Sequence, residues 1–378
     1  MEKSIDINTN KNNNNNDSIT KSFIEYWDNV INIWLGQPVQ DAIDVKRPLD
    51  SKKESYYKEN FFVKIETEQK PFFNNHSFNK LLCPAHLPEP YWGDPDNCSI
   101  VVVDYNPAGG IDMNPHTYKG TLGGNQFPPN TIIDFVKNNS YSELAKEFPI
   151  WKKDLKNGME WLCSYGGRKW WLQKKEWIKH LVEHLVGEDI DVEIIPPFAV
   201  ELCGWHSPNW PDNTNAFEND LKDTIKTHFA QPLLAAIENS KSKLAVCIGA
   251  QFKPSILSTY LDLDGFKDIT KDVFDDIPKD VIYDKTKDVN TNHLSQNGII
   301  SYPDNPSKNK NQDSSICVEI NNNKPIKRYY RIYNIVNKNV NHIILNTFAP
   351  GGNHHPSKNF EEFENDLLEA IKDIVNVG

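Results

Sequence analysis

The chain has 378 residues, a formal net charge of −11, 38% hydrophobic and 11% aromatic residues, and 10 Trp. That length suits one large domain or two small ones, and the composition supplies a sizeable core. An acidic total argues against non-specific gripping of duplex nucleic acid, where phosphate neutralisation by Lys and Arg supplies most of the affinity. No apolar run approaches the roughly 20 residues of a membrane-spanning helix.

Residues 1–20 are Asn-rich and polar, without the charged, apolar and small-residue order of a secretory signal. They are expected to be disordered, and the protein cytosolic, or nuclear in a eukaryote. In SFIEYWDNVINIWLG, Phe23, Trp27, Ile31 and Trp34 recur at helical spacing, and Gly36 marks the stop. Residues 45–75 carry no clear period, so 21–87 is expected as a helical extension.

LPEPYWGDPDN punctuates the chain before the β-branched run Ser99–Val103, which the loop Asp104–Gly110 then breaks. Continuous apolar runs of this length indicate strands buried on both faces. Three more follow: Val192–Val200, interrupted by Pro196 and Pro197; Leu244–Gly249; and His342–Phe348. Helical patterns lie between and after them at Ser140–Leu155, Lys174–Val186, Asn215–Asn239 and Asn359–Val377. In the last of these, Asn359 and Glu362 have N-cap and N3 spacing, and Phe360, Phe363, Leu367, Ile371 and Ile374 form the apolar stripe.

Strand–helix alternation predicts an α/β fold: three layers, α/β/α, around a small four-stranded parallel sheet. Residues 258–315 are polar with little period, and SICVEINNNKPIKRYYRIYNIV reads as a β-hairpin turning at Asn321–Lys324. Residues 251–340 are therefore expected as an insertion into a single domain spanning 21–378.

The 6 Cys show no CxxC pair and no zinc or iron–sulfur spacing, so free buried thiols are expected and no cofactor or metal is implied. A site from His206, His355 and Glu201 lacks helical ligand spacing. Basic residues interleave with aromatics in GGRKWWLQKK and again at Lys324, Lys327, Arg328 and Arg331, which suits stacked-base contact. For the hairpin, an ordinary solvated strand face explains the alternation as well.

Ligands of open parallel sheets bind where the post-strand loops gather. In the first loop, Pro107 stiffens the turn, Gly109 and Gly110 permit close backbone approach, and Asn106 offers an amide. In the last, His354 and His355 precede a helix start, where the macrodipole favours a neutral imidazole. Asp104 and Glu201 are the carboxylates at strand ends beside these loops, and either offers a base. An ordinary β-to-α turn, with one His packed and one solvated, accounts for the same residues.

Val103–Gly109 and His355-Pro356-Ser357, with the LAVCIGA strand between them and LPEPYWGDPDN ahead, resemble the uracil-DNA glycosylase superfamily over about residues 88–252 and 342–377. The resemblance implies hydrolysis of an N-glycosidic bond in DNA or a nucleotide. Asn106 would orient water at the sugar C1′, and His355 would hydrogen-bond the leaving base. Tyr105, Pro107, Ala108, Gly109 and Phe127 would surround a flipped base, with Phe127 the better stacking candidate. His206 would line the pocket, and Pro356 and Ser357 would shape the strand-contacting loop. Pro196-Pro197 stand where many members carry a base-reading Asn, and Ala108 is an added residue. A non-catalytic nucleobase- or nucleotide-binding module on the same fold is the alternative.

Overall fold

A computed structural model describes residues 8–35, 88–104, 121–122, 125–126, 136, 138–148, 151, 166–187, 190–205, 225–249, 252, 266–277, 283–284, 299–301, 316–320, 326–337, 340–348 and 361–376. The chain divides into two compact units, one of residues 1–98, 104–173 and 196–239, the other of 99–103, 174–195 and 240–378.

The first unit opens with α1 (Asn8–Leu35). Phe23, Trp27, Val30 and Ile31 are its buried stripe, as the spacing predicts. The helix also runs back through the Asn-rich stretch expected to be disordered. Helix extension from a packed nucleus adds one bond per residue fixed, so a modest helix former can continue what the stripe begins.

Next in chain order come β1 (Tyr91–Trp92) and β2 (Val101–Asp104), the small hairpin β3 (Thr121–Leu122) with β4 (Asn125–Gln126), and α2 (Tyr141–Lys146). Ser140 caps α2 through its hydroxyl. Asp28 of α1 accepts from both Ser142 N (3.0 Å) and Ser142 Oγ (2.6 Å), adding negative charge at the same N-terminus. The helix expected over Ser140–Leu155 stops at Lys146, and Phe148 turns to φ 41°. Pro149 explains the stop, because the residue before a proline is pushed out of the α region.

β5 (Phe198–Glu201) pairs antiparallel with β1. The strand expected over Val192–Val200 thus begins only after Pro196 and Pro197, whose missing N–H groups cannot join a ladder. Residues 192–194 form a turn, and Ile194 is 76% exposed. Gly93 fits here at φ +95°, where an added Cβ would stand 2.2 Å from Pro197 O.

A π-helical turn (Lys226–Ala230) leads into α4 (Gln231–Asn239). Pro232 would clash with the carbonyl of His228 in a regular helix, and the wider turn accommodates it. Ile225, Phe229, Leu233 and Ile237 are buried as their spacing predicts, whereas Phe217 and Leu221 lie outside the described residues.

α3 (Gly166–Val186) reaches back past the expected start at Lys174. In the second unit its Ile178, Leu181 and Val182 are buried, and Gly187 ends it at φ +110° with its N–H on Glu183 O.

The second unit holds a mixed sheet. Its strands are β6 (Leu244–Ile248), β7 (Phe266–Asp268), β8 (Tyr283–Asp284), β9 (Ile299–Ser301), β10 (Ile316–Ile320), β11 (Ile326–Asn337) and β12 (Val340–Phe348). The order is β2-β6-β12-β11-β10-β9-β8, with β7 also on β11. β2, β6 and β12 run parallel, and from β12 through β11 and β10 to β9 the pairing is antiparallel. The class is therefore α/β. The expected hairpin is β10–β11, closed by the pair Ile320↔Ile326.

Residues 258–315 also hold β7 and α5 (Thr270–Asp276), where no period was legible. Asp268 and the main chain of Ile332 anchor α5 through Thr270, and Ile269, Val273, Phe274 and Ile277 form a short buried apolar face. The last helix, α6 (Glu361–Asn376), buries Phe363, Leu367, Leu368 and Ile371. Phe363 packs with Tyr330 and Phe274 at ring-centroid distances of 5.4 and 5.7 Å.

Candidate functional site

The parallel register brings strand ends together. Val103 pairs with Cys247 and Thr347 with Ile248, so β2, β6 and β12 end along one edge of the sheet. Adjacent strands lie about 4.8 Å apart, which puts β2 and β12 about 10 Å apart across β6. In the chain, Tyr105–Gly109 follow β2 and His355–Ser357 follow β12, whereas Phe127 follows β4 and His206 follows β5. Tyr105, Asn106, Pro107, Ala108, Gly109, Phe127, His206, His355, Pro356 and Ser357 themselves lie outside the described residues.

At that edge the chain leaving β6 is held tightly. Gly249 takes φ +131° and donates its N–H to Thr347 O at 3.0 Å. Asn346, fully buried in β12, donates from Nδ2 to Gly249 O (3.0 Å) and Phe252 O (3.1 Å). The signal for Asn346 was present in the sequence, as one amide inside the apolar run HIILNTF, where a polar side chain must be satisfied.

In the first unit, three carboxylates converge. Leu202 N donates to Asp104 O (2.9 Å), Glu201 N to Pro90 O (2.9 Å) and Glu89 N to Gly204 O (2.8 Å). These bonds put Asp104, Glu201 and Glu89 on neighbouring stretches of backbone. Glu201 keeps part of its surface open, but its Oε2 is enclosed without a hydrogen-bond partner. Burial, then the Asp104 carboxylate, then that of Glu89 raises the Glu201 carboxyl well above the usual range. That shift favours the protonated form, which suits the carboxyl to act as an acid rather than a base. Sequence reading singled out Asp104 and Glu201; Glu89 enters only through the pairing of β1 with β5.

Cys203 lies beside this cluster and is no nucleophile. Burial, only partly opposed by the Trp205 carbonyl contact, pushes its thiol up to about 12. Cys98 and Cys247 are likewise free and buried.

The described members of the basic clusters lie in the interior. Lys174 and Lys175 are buried, and Lys175 Nζ lies 2.6 Å from Glu193 Oε1. Arg328 and Arg331 of the hairpin are buried too, against the expectation of a solvated strand face. Arg328 Nη1 donates to Thr347 Oγ1 at 3.0 Å, a partner that β12 brings across from the far side of β11. Tyr330, on the same strand, donates its hydroxyl to Glu364 Oε1 at 3.0 Å. Burial first, and the Glu364 charge second, keep that phenol protonated.

Among the described residues, no group of three or more His, Cys, Asp or Glu has the arrangement to hold a metal ion. Among them, too, no helix is long and apolar enough to cross a membrane. No protein-family model matches the chain, and neither a curated protein nor a solved structure shows a significant likeness to it.

Proposed function

We propose that the protein is a hydrolase of the uracil-DNA glycosylase type, cleaving the N-glycosidic bond of a nucleobase in DNA or in a nucleotide. The observation that carries this reading is the shared edge of β2, β6 and β12: the segments bearing Asn106 and His355 depart from strands separated by β6 alone. A gap of about 10 Å suits a base and its sugar. The finer architecture belongs to the same proposal: a four-stranded parallel sheet inside three α/β/α layers.

In this mechanism Asn106 holds water against C1′ and His355 donates a hydrogen bond to the departing base. The C1′–N bond breaks and its electron pair leaves on the base, the water oxygen bonds C1′, and the proton the water gives up ends on the departing base. A positioned donor aimed at the developing oxyanion is worth about 3–4 kcal/mol of barrier. Phe127 or Tyr105 stacks the base, His206 lines the pocket, the backbone of Pro107, Ala108 and Gly109 closes around the sugar, and Pro356-Ser357 meets the strand.

A second reading, a binding module for a nucleobase or nucleotide without catalysis, draws support from the interior placement of Lys174, Lys175, Arg328 and Arg331. With a net charge of −11, those residues are unavailable as a basic track along a duplex.

The experiment is incubation with single- and double-stranded oligonucleotides bearing uracil, hypoxanthine or a thymine mismatch, followed by alkali. Strand breaks that disappear in Asn106→Ala and His355→Ala support the hydrolase. Base or nucleotide binding without breaks establishes the module and removes the enzyme.

A further inference from the structure

Asn346 has 0% exposure and lies in β12 opposite Cys247 on one side and Arg331 on the other. Ile343, Ile344 and Leu345 precede it in the strand and are buried with it. An amide there is costly unless it does something an apolar side chain cannot.

The hydrogen bonds identify what that is. Nδ2 faces two carbonyl oxygens, Gly249 O at 3.0 Å and Phe252 O at 3.1 Å. A carbonyl only accepts, so turning the amide over would break both bonds; its orientation is fixed by chemistry. Both Nδ2 protons are thereby committed, while Oδ1 is enclosed with no hydrogen-bond partner. The open acceptor is a cost, and the two held carbonyls are the return. Thr347 O meanwhile accepts from Gly249 N. Two successive residues of β12 thus grip the chain as it leaves β6, one through its side chain and one through its backbone.

β6 lies between β2 and β12. We propose that Asn346 is a positioning residue for the strand-end site, its amide fixing the segment Gly249–Phe252 between the departures of the two loops. Calling that edge a site rests on the reading under Proposed function; the hold itself does not.

The test uses the full chain and two measurements. In the wild-type protein, the Nδ2 protons of Asn346, identified by their absence from the spectrum of Asn346→Leu, are expected to exchange with solvent at least about tenfold more slowly than those of exposed Asn side chains. In Asn346→Leu, backbone hydrogen exchange in a peptide covering 249–252 is expected to rise at least about tenfold, with a peptide covering 316–337 unchanged. A purely global loss of stability would raise both peptides together, and that result overturns the proposal. So does exchange of the Asn346 amide at the exposed rate, which decides the matter even where the Leu variant fails to fold. Neither readout needs cleavage, so an inactive protein with a protected Asn346 amide sinks the hydrolase and leaves the hold standing.

Discussion

Glu364 and Glu201 are the same side chain handled in opposite ways. Glu364, buried in the second unit, accepts from Tyr330 Oη at 3.0 Å and Trp177 Nε1 at 3.2 Å. Glu201, in the first unit, has an enclosed oxygen with no partner and two carboxylates for neighbours. Around Glu364, side chains hold the charge, and the network is structural. Around Glu201, backbone bonds from Glu89, Glu201 and Leu202 hold the strands, and Glu201 Oε2 is left out of the hydrogen bonding. A group kept out of the scaffold's own bonding is the one available for proton chemistry.

Glu364→Leu breaks the first side of this contrast and should have the largest effect. It strands two donors, one of them on the buried Tyr330. Hydrogen bonds to a charged group are each worth about 1.5–3 kcal/mol, so a loss of about 3–5 kcal/mol in denaturant unfolding is expected. Glu364→Gln, which keeps one carbonyl acceptor, should lose clearly less. Equal losses would mean that filling the volume matters more than accepting.

Gly93→Ala attacks the backbone scaffold of the first unit instead. The new Cβ meets Pro197 O at 2.2 Å, and φ +95° is strained for any side chain. Gly93 N also donates to Ala145 O, so the shift spreads to α2. A destabilisation of about 2–4 kcal/mol should appear in the unfolding midpoint, with far-UV circular dichroism kept at low temperature.

Glu201→Gln should go the other way. A carboxyl raised by burial and by Asp104 binds more protons folded than unfolded at pH values between its two constants. Stability is therefore full below the unfolded value of about 4.3 and falls as pH rises toward the raised folded value. The amide removes that dependence, so the variant should gain on the order of 1–2 kcal/mol at pH 8 and little near pH 4. Melting curves across that range check it; a gain that grows toward acid reverses the sign and sinks the assignment of Glu201 as the protonated member.

These two sites also show which parts were legible in the sequence. The stripe Phe23, Trp27 and Ile31, the runs that became β6 and β12, and the antiparallel pairing of β10 with β11 all follow from local periodicity, and all are present. What local pattern misses is set by distant partners. Arg328 looks like a surface residue until β12 supplies Thr347 Oγ1. Glu89 sits between two prolines and joins Glu201 only through a pairing more than a hundred residues apart in sequence. α5 is tied to β11 through Thr270, and its buried apolar pair Val273 and Phe274 is too short a run to show a period. For the candidate site, the strand ends and the carboxylates Asp104 and Glu201 were marked by the breaks that follow apolar runs. Asn346 was visible as an anomaly, but its purpose needed Gly249 and Phe252, contributed by another strand's exit.

The smallest expected effect is at Tyr141, whose hydroxyl donates to Tyr91 O at 2.6 Å while its ring stands edge-on to Tyr91 at 5.4 Å. Tyr141→Phe keeps the ring contact and removes only the donor. A neutral buried hydrogen bond contributes about 1 kcal/mol net, so a loss of that size is expected. Burial first, with the Glu89 charge next, holds this phenol well above its ordinary value, so it stays a donor at pH 5 and pH 8 alike. The loss should accordingly be the same at pH 5 and pH 8, in contrast to Glu201→Gln. A pH-dependent loss at Tyr141 would show that its hydroxyl and the Glu201 carboxyl titrate as one system, and the division between bonds that hold the strands and a carboxyl that carries a proton would fail there.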